Sequence, residues 1–266
     1  MLGKLFKYEF KATGRIMLPI YIATLVICII SSVFFNFAPS GEWDEHKLLT
    51  FTTLIIFALF IFMVAAAIVL SYIISILRFK KNLFDSEGYL MNTLPVTTGQ
   101  NIGAKLLTSV IYQIFTLIVA ILAFMIFTIG IDPAENINML GELYNLFVSL
   151  INHMTGEIFL FTSEFIILCI LSLVLLNIEF YAAISIGHSS NSSRVLKSVA
   201  AYIVFYVIQN IIDSILLIIC GLNIDTVDTN SFPYLLFTGL IIIEVIYILI
   251  YYFITNYFMK KKLNLQ

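Results

Sequence analysis

Six long apolar runs dominate the sequence, and each run ends at a short polar or turn-forming stretch. Every run exceeds the roughly 18 residues that a helix needs to cross a bilayer. Only helices or closed barrels satisfy their backbone hydrogen bonds in hydrocarbon, and these runs are too long for barrel strands. The pattern therefore predicts an all-α polytopic membrane protein that consists of a single transmembrane domain, residues 1–266. The six predicted spans cover residues 17–37, 48–77, 106–131, 158–186, 198–222 and 234–259.

Composition agrees with this pattern. The chain of 266 residues is 61% hydrophobic and only 11% charged, whereas soluble domains carry about 25% charged residues. This balance excludes a soluble enzyme, a disordered protein and a nucleic-acid-binding domain. The lipid bilayer is therefore the expected surrounding of the chain, and no nucleic acid is expected as a partner.

The basic residues are distributed unequally between the two predicted sides. Every Lys and Arg except Lys47 lies on the side that holds both termini. Because basic residues accumulate on the cytoplasmic side of membrane proteins, both termini are predicted to be cytoplasmic.

Residues 1–15 have the pattern of an amphipathic helix, with one apolar side and one basic side. Such a helix is expected to lie in the cytoplasmic interface, against anionic head groups or a protein partner. Glu9 projects into the apolar side, where Arg78 or Arg194 could pair with it. The alternative is a basic flank that only sets the topology. The basic side is formed by Lys4, Lys7, Lys11 and Arg15.

The cytoplasmic connection 78–105 mixes charged residues with Leu83, Phe84 and Tyr89. A connection that only joins two helices could be much shorter. Apolar and aromatic side chains in a polar loop favour a docking surface, because anchors of this kind carry most of the binding energy at interfaces. A loop folded back onto the helices is the alternative. The Thr-Thr-Gly-Gln sequence at 97–100 supplies capping residues for the third span.

Two segments carry a resemblance to a known family. The sequences FKYEFKATGR at 6–15 and NLFDSEGYLMNTLP at 82–95 resemble the six-span permease subunits of type-2 superfamily ABC exporters, especially those of Gram-positive, clostridium-like bacteria. The resemblance implies a bacterial plasma-membrane protein that pairs with a second permease copy, identical or related. It also implies a cytosolic ATPase subunit that carries ATP and Mg²⁺ and docks on a coupling helix in the first cytoplasmic loop. The implied contact residues are Leu83, Phe84, Asp85, Glu87, Gly88 and Tyr89.

Four acidic residues interrupt the last three predicted spans: Glu164, Glu179, Asp213 and Glu244. An ionised carboxylate near the middle of a bilayer costs about 2.5–3.5 kcal/mol on insertion scales, so these side chains are not expected to face lipid. Together with Gln209 and Asn210, they predict a polar path for a cationic substrate. The alternative is structural, with hydrogen bonds between protonated acids and neighbouring helices.

The extracellular connection 132–157 has an apolar stripe at helical spacing and several acidic residues. The stripe predicts a helix on the outer leaflet or over the exit of the bundle, with packing against the helices as the alternative. It is formed by Ile137, Leu140, Tyr144, Phe147, Ile151 and Met154.

The motifs that the sequence lacks narrow the choice of function. It contains no GxxxxGK[ST] phosphate-binding loop, so ATP hydrolysis is expected in a partner and not in this non-enzymatic chain. No spacing of Cys or His predicts a metal site. The function that the resemblance to ABC exporter permeases implies is that of an ATP-driven export permease for an amphipathic or hydrophobic substrate, with antimicrobial and other peptides among the candidates. A proton-coupled transporter and a peptide-sensing or immunity protein without transport remain the alternatives.

Overall fold

The computed structural model describes residues 2–36, 47–84, 96–131, 138, 141–142, 144–146, 148–149, 155–190, 193–222 and 232–261. Within these ranges the chain forms six long helices. They are α1 (Leu2–Asn36), α2 (Lys47–Phe84), α3 (Thr98–Ile131), α4 (Gly156–His188), α5 (Arg194–Leu222) and α6 (Phe232–Lys261).

All six helices are long and apolar enough to cross a membrane. The shortest has 29 residues and the longest has 38. At 1.5 Å per residue these lengths are about 44 and 57 Å, compared with a hydrocarbon core of about 30 Å. The prediction of six membrane helices is confirmed, and the chain has the architecture of a multi-pass membrane protein.

The helices extend beyond the predicted spans, chiefly at the ends that carry basic residues. Helix α2 continues through Arg78 and Lys81 to Phe84, past the predicted end at residue 77. Helix α3 begins at Thr98, before the predicted start at residue 106, and includes Lys105. Lys and Arg are good helix formers, so a change from apolar to basic residues marks the edge of the hydrocarbon without ending the helix.

The predicted interfacial segment 1–15 and the first span form one continuous helix, α1. A separate helix that lies flat in the interface is therefore not seen among the described residues. In this part of α1 the side chains of Lys4, Lys7, Lys11 and Arg15 are exposed. Glu9 is buried, as its place on the apolar side predicts.

The helices divide into two compact units. The α1–α3 unit comprises Tyr8–Ile74 and Ile111–His153, and the α4–α6 unit comprises Met1–Lys7, Ser75–Val110 and Met154–Gln266. Helices α2 and α3 therefore each have one part in the first unit and another part in the second.

Aromatic packing and buried hydroxyl groups hold the α1–α3 unit together. The rings of Phe60 and Phe127 stack with their centroids 4.8 Å apart. On the other side of this unit, the Tyr21 hydroxyl donates to the carbonyl oxygen of Tyr112 at 2.9 Å. The Tyr112 hydroxyl in turn donates to the carbonyl oxygen of Phe10 at 2.9 Å. These bonds cross-link α1 and α3 within the unit.

In the α4–α6 unit, α4 packs most extensively against α6 and also packs against α5. The core of this unit lies where these helices meet the end of α2 and the start of α3. Phe79 of α2 and Tyr181 of α4 are fully buried there, with their rings parallel and their centroids 3.8 Å apart. This core supports the residues that could carry function.

Candidate functional site

The four intramembrane acids lie on the three helices of the α4–α6 unit, and we refer to Glu164, Glu179, Asp213 and Glu244 as the acidic row. Three of them accept a hydrogen bond from a side chain of a neighbouring helix. Thr238 Oγ1 donates to Glu164 Oε1 at 3.1 Å, and Ser172 Oγ donates to Glu244 Oε1 at 2.6 Å. The Tyr247 hydroxyl lies 3.3 Å from Asp213 Oδ1 and donates to it. The acids thus point between helices, as their insertion cost predicts.

Glu179 is the most deeply buried member of the acidic row, with 1% of its surface exposed. Gln209 of α5 lies beside its carboxyl group. The Gln209 amide also donates to the Tyr251 hydroxyl of α6 at 2.8 Å. This amide therefore links α5 to α6 next to a buried acid of α4.

Asn210 does not join this arrangement, although the sequence predicts it as part of the path. Its side chain is exposed, and its Nδ2 donates to the carbonyl oxygen of Tyr206 in the same helix at 2.8 Å. The structure thus places the four acids and Gln209 at contacts between helices, with Glu179 buried and the others partly exposed, and leaves Asn210 outside these contacts.

Three members of the acidic row each have one buried oxygen without a hydrogen-bond partner among the described residues. These atoms are Glu164 Oε2, Glu179 Oε1 and Glu244 Oε2. The sequence has no Lys or Arg at 106–193 or 198–259, so α4 and the membrane part of α5 and α6 bring no basic side chain. A buried carboxylate oxygen without a donor or a positive charge is unfavourable unless a proton or a cation joins it. The acidic row is therefore suited to hold protons or positively charged groups.

The structure offers no sign of a metal centre in these helices. Across the described ranges, no group of three or more His, Cys, Asp or Glu side chains is placed to hold a metal ion. The groups that meet the acidic row among the described residues are the hydroxyl groups of Thr238, Ser172 and Tyr247 and the amide of Gln209.

Next to the acidic row lies a cluster of buried polar side chains that the sequence does not single out. Ser75 of α2 donates to Asn177 Oδ1 of α4 at 2.8 Å. The Tyr181 hydroxyl lies 2.9 Å from Ser109 Oγ of α3 and 3.0 Å from Ser75 Oγ. Because single small polar residues in an apolar run give no periodic signal, this cluster becomes visible only when the three helices are assembled.

The end of α2 and the start of α3, which flank the connection between these two helices, pack onto α4 and α6. At one end, Leu83 is 0% exposed and Phe84 is 4% exposed, and the Phe84 ring lies 4.8 Å from the His188 ring of α4. At the other end, Thr98 Oγ1 donates to Asn256 Oδ1 of α6 at 2.7 Å. We call Leu83, Phe84 and Thr98 the loop anchors.

The burial of Leu83 and Phe84 corrects one sequence-based expectation. Leu83 and Phe84 are predicted as exposed docking residues, but both side chains belong to the core of the α4–α6 unit. The last turn of α2 extends further than its charge pattern indicates and carries both residues into that core. The other residues predicted for the docking contact, Asp85, Glu87, Gly88 and Tyr89, lie outside the described residues.

The start of α3 confirms the predicted cap. The backbone N–H of Gln100 donates to Thr97 Oγ1 at 3.3 Å. In return, the backbone N–H of Thr97 donates to Gln100 Oε1 at 3.1 Å. This reciprocal pair is a capping box, and it fixes the point at which the connection enters α3.

Little of the predicted extracellular stripe can be compared with the structure. Tyr144 is helical and exposed. The remaining members of the stripe, Ile137, Leu140, Phe147, Ile151 and Met154, lie outside the described residues.

Comparison with known proteins identifies no relative, so a functional assignment depends on the residues of this chain. No protein-family model matches the chain, and no curated protein or solved structure shows significant similarity to it. The features that bear on function are therefore the acidic row, the loop anchors and the distribution of basic residues.

Proposed function

We propose that this chain is the permease subunit of an ATP-driven exporter in the bacterial plasma membrane, with both termini in the cytoplasm. It pairs with a second permease copy, identical or related. A cytosolic ATPase that binds ATP and Mg²⁺ docks on the first cytoplasmic connection of each copy. The sequence resemblance at 6–15 and 82–95 supports this class of protein. The one-sided distribution of Lys and Arg supports the orientation.

One structural observation carries the proposal: both ends of the first cytoplasmic connection are attached to the helices that hold the acids. Phe84 packs on His188 at the end of α4, and Thr98 bonds Asn256 near the end of α6. A force applied to residues 85–95 is therefore passed directly to α4 and α6. The ATPase contact itself is assigned to Asp85, Glu87, Gly88 and Tyr89, while Leu83 and Phe84 transmit the movement.

This attachment explains how ATP binding in the partner moves the substrate. Closure of the two ATPase subunits pushes on the connections, and the loop anchors shift α4 and α6 relative to α5. The shift stretches or breaks the bonds that join α5 to α6, Tyr247–Asp213 and Gln209–Tyr251. The acidic row then opens toward the substrate and, in the reverse movement, closes again.

The acidic row also indicates the class of substrate. Unpaired carboxylate oxygens on Glu164, Glu179 and Glu244 attract positive charge, and the chain neighbours of two of these acids, Ile178 and Ile243, belong to or pack on the apolar core. An amphipathic molecule with a cationic group, such as a cationic peptide, fits both properties.

The docking part of the proposal is tested by co-purification of the ATPase with two tyrosine variants. Tyr89→Ala removes a proposed contact and is expected to abolish recovery of the ATPase with the tagged permease. Tyr257→Ala, at an exposed position near the end of α6, is the matched control and should leave recovery unchanged. Equal recovery with both variants, or no nucleotide-binding subunit with the wild type, would contradict the proposal.

A proton-coupled secondary transporter is the second candidate, because three unpaired acid oxygens in helix segments without Lys or Arg are also suited to carry protons. The two candidates differ in their energy source. The exporter requires ATP and the partner, whereas the secondary transporter moves substrate in vesicles that contain this chain alone and a pH gradient. A peptide-sensing or immunity protein would bind peptide and transport nothing under either condition.

A further inference from the structure

A half-open groove of about 340 Å³ lies at one end of the α4–α6 unit. Its walls are the last turns of α2 and α4 and the first turns of α5. Along α5, the lining residues Val195, Ser198, Val199 and Tyr202 follow helical spacing, so one face of this helix forms a complete wall. The volume falls within the range of about 300–1,000 Å³ that is usual for ligand pockets.

The lining of the groove is almost entirely apolar, with positive charge at its end. Lys80 of α2 is the basic lysine of this lining, which also includes His188 of α4. Helix α5 begins at Arg194, directly before the wall residue Val195. The first turn of a helix presents unpaired N–H groups and the positive end of the helix dipole, which favour a nearby anion.

The position of the groove along the helices decides which molecules can reach it. It lies where apolar spans change to basic ends, which is the boundary between hydrocarbon and head groups. Val199 on the α5 wall is 52% exposed. In a membrane, such a surface is accessible to lipid chains.

We propose that this groove binds an anionic phospholipid, with one acyl chain along the apolar walls and the phosphate beside Lys80 and the start of α5. The charge of the groove selects the head group, because basic pockets between membrane helices attract anionic lipids. The apolar walls select the chain, since every methylene group buried against them adds to the affinity. The inference does not depend on ATP-driven export.

The lipid ties together the ends of three helices. Lys80 lies on the turn of α2 that precedes the loop anchors Leu83 and Phe84, and His188 contacts Phe84 directly. An occupied groove therefore stabilises the end of α2 against α4 and α5, next to the first cytoplasmic connection.

The test is a native mass-spectrometry titration of the purified full-length protein with dioleoylphosphatidylglycerol, and with dioleoylphosphatidylcholine as the neutral lipid of equal chain length. Lys80→Gln is expected to raise the Kd of the first bound phosphatidylglycerol about fivefold, the factor that corresponds to about 1 kcal/mol per basic residue near an anionic surface. Lys260→Gln, an exposed basic residue at the end of α6, should leave this Kd unchanged. Soluble glycerol phosphate should not compete, because it lacks the chain.

A second pair of variants tests the apolar walls. Val199→Trp fills the groove and is expected to abolish tight binding of phosphatidylglycerol, while Val204→Trp serves as the control on the same helix. The two valines are 52% and 54% exposed, so neither change disturbs the core. Val195→Trp, on the same wall, repeats the test at a second exposed position.

Several results would overturn the inference. Equal binding of the two lipids by the wild type would show that the groove does not select an anionic head group. Equal effects of Lys80→Gln and Lys260→Gln would show that lipid binding depends on general surface charge and not on this groove. Unchanged lipid binding in Val199→Trp would place the lipid elsewhere. If that variant instead turned a dimer into a monomer with lipid binding intact, a second copy of the chain would occupy the groove. Competition by glycerol phosphate would identify a site for free anions.

Discussion

Replacing Phe84 by alanine separates the two roles that this residue could have. Its side chain is 4% exposed at the last residue of α2, and its ring lies 4.8 Å from His188 and 5.8 Å from Phe79. Removing a buried phenyl ring typically costs about 3–5 kcal/mol, and each ring contact contributes about 0.5–1.5 kcal/mol of this. Because Phe84 lies at the edge of the core, we expect a loss of about 3 kcal/mol in unfolding free energy.

The loss is measured by unfolding of the purified protein in detergent, followed by circular dichroism. Phe84→Leu keeps most of the apolar volume and should cost less than about 1.5 kcal/mol. Phe253→Ala removes an exposed ring of α6 and should change stability by no more than about 0.5 kcal/mol. Equal stabilities of Phe84→Ala and Phe253→Ala would refute the burial of Phe84.

The same variant also distinguishes an anchor from a docking contact. If Phe84 transmits movement, Phe84→Ala retains the ATPase during purification but lowers ATP-driven transport. Loss of the ATPase with unchanged stability would instead make Phe84 a direct contact, as the sequence alone indicates.

Three further changes test the cap, the buried polar cluster and the acidic row. Thr97→Ala removes the capping box of α3 and should lower the unfolding free energy by about 1 kcal/mol. The loss is measured by thermal unfolding, with Thr98→Ser, which keeps the neighbouring hydroxyl, as the control. An unchanged unfolding free energy would exclude a role for the cap. Tyr181→Phe keeps the ring stack on Phe79 but removes the hydroxyl between Ser75 and Ser109. The unfolding free energy should therefore fall by about 1 kcal/mol in the same assay. A variant more stable than the wild type would contradict a stabilising role of this hydroxyl. Glu179→Gln preserves the shape of the side chain and removes its charge. Export of a cationic substrate should therefore fall, while the unfolding temperature should stay the same. Unchanged transport with reduced stability would favour a purely structural role.

The sequence predicts well those features that depend on neighbouring residues in the chain. Long apolar runs indicate the six membrane helices because hydropathy and length are properties of each segment alone. The Thr97–Gln100 cap is predictable for the same reason, since a capping box joins residues three positions apart. The four acids are also found from sequence, because a carboxyl group inside an apolar run is conspicuous.

Features that depend on the assembly of several helices are not predictable in this way. Leu83 and Phe84 follow a basic segment and have the pattern of an exposed loop, yet α2 continues and places them against α4. The polar cluster around Ser75 and Tyr181 joins three helices that lie far apart in sequence. For Asn210 the sequence predicts a place in the polar path, but the side chain is exposed. Asn210 follows Gln209 directly and therefore lies on a different side of the helix.

The central claim is that ATP hydrolysis in a separate subunit drives transport through this chain. It is tested most directly in proteoliposomes that contain the permease with or without its ATPase, with export of a fluorescent cationic peptide as the readout. Our account predicts transport only when both the ATPase and Mg-ATP are present, and loss of transport with Tyr89→Ala in the complete system. Transport by the permease alone, driven by a pH gradient without ATP, would contradict it.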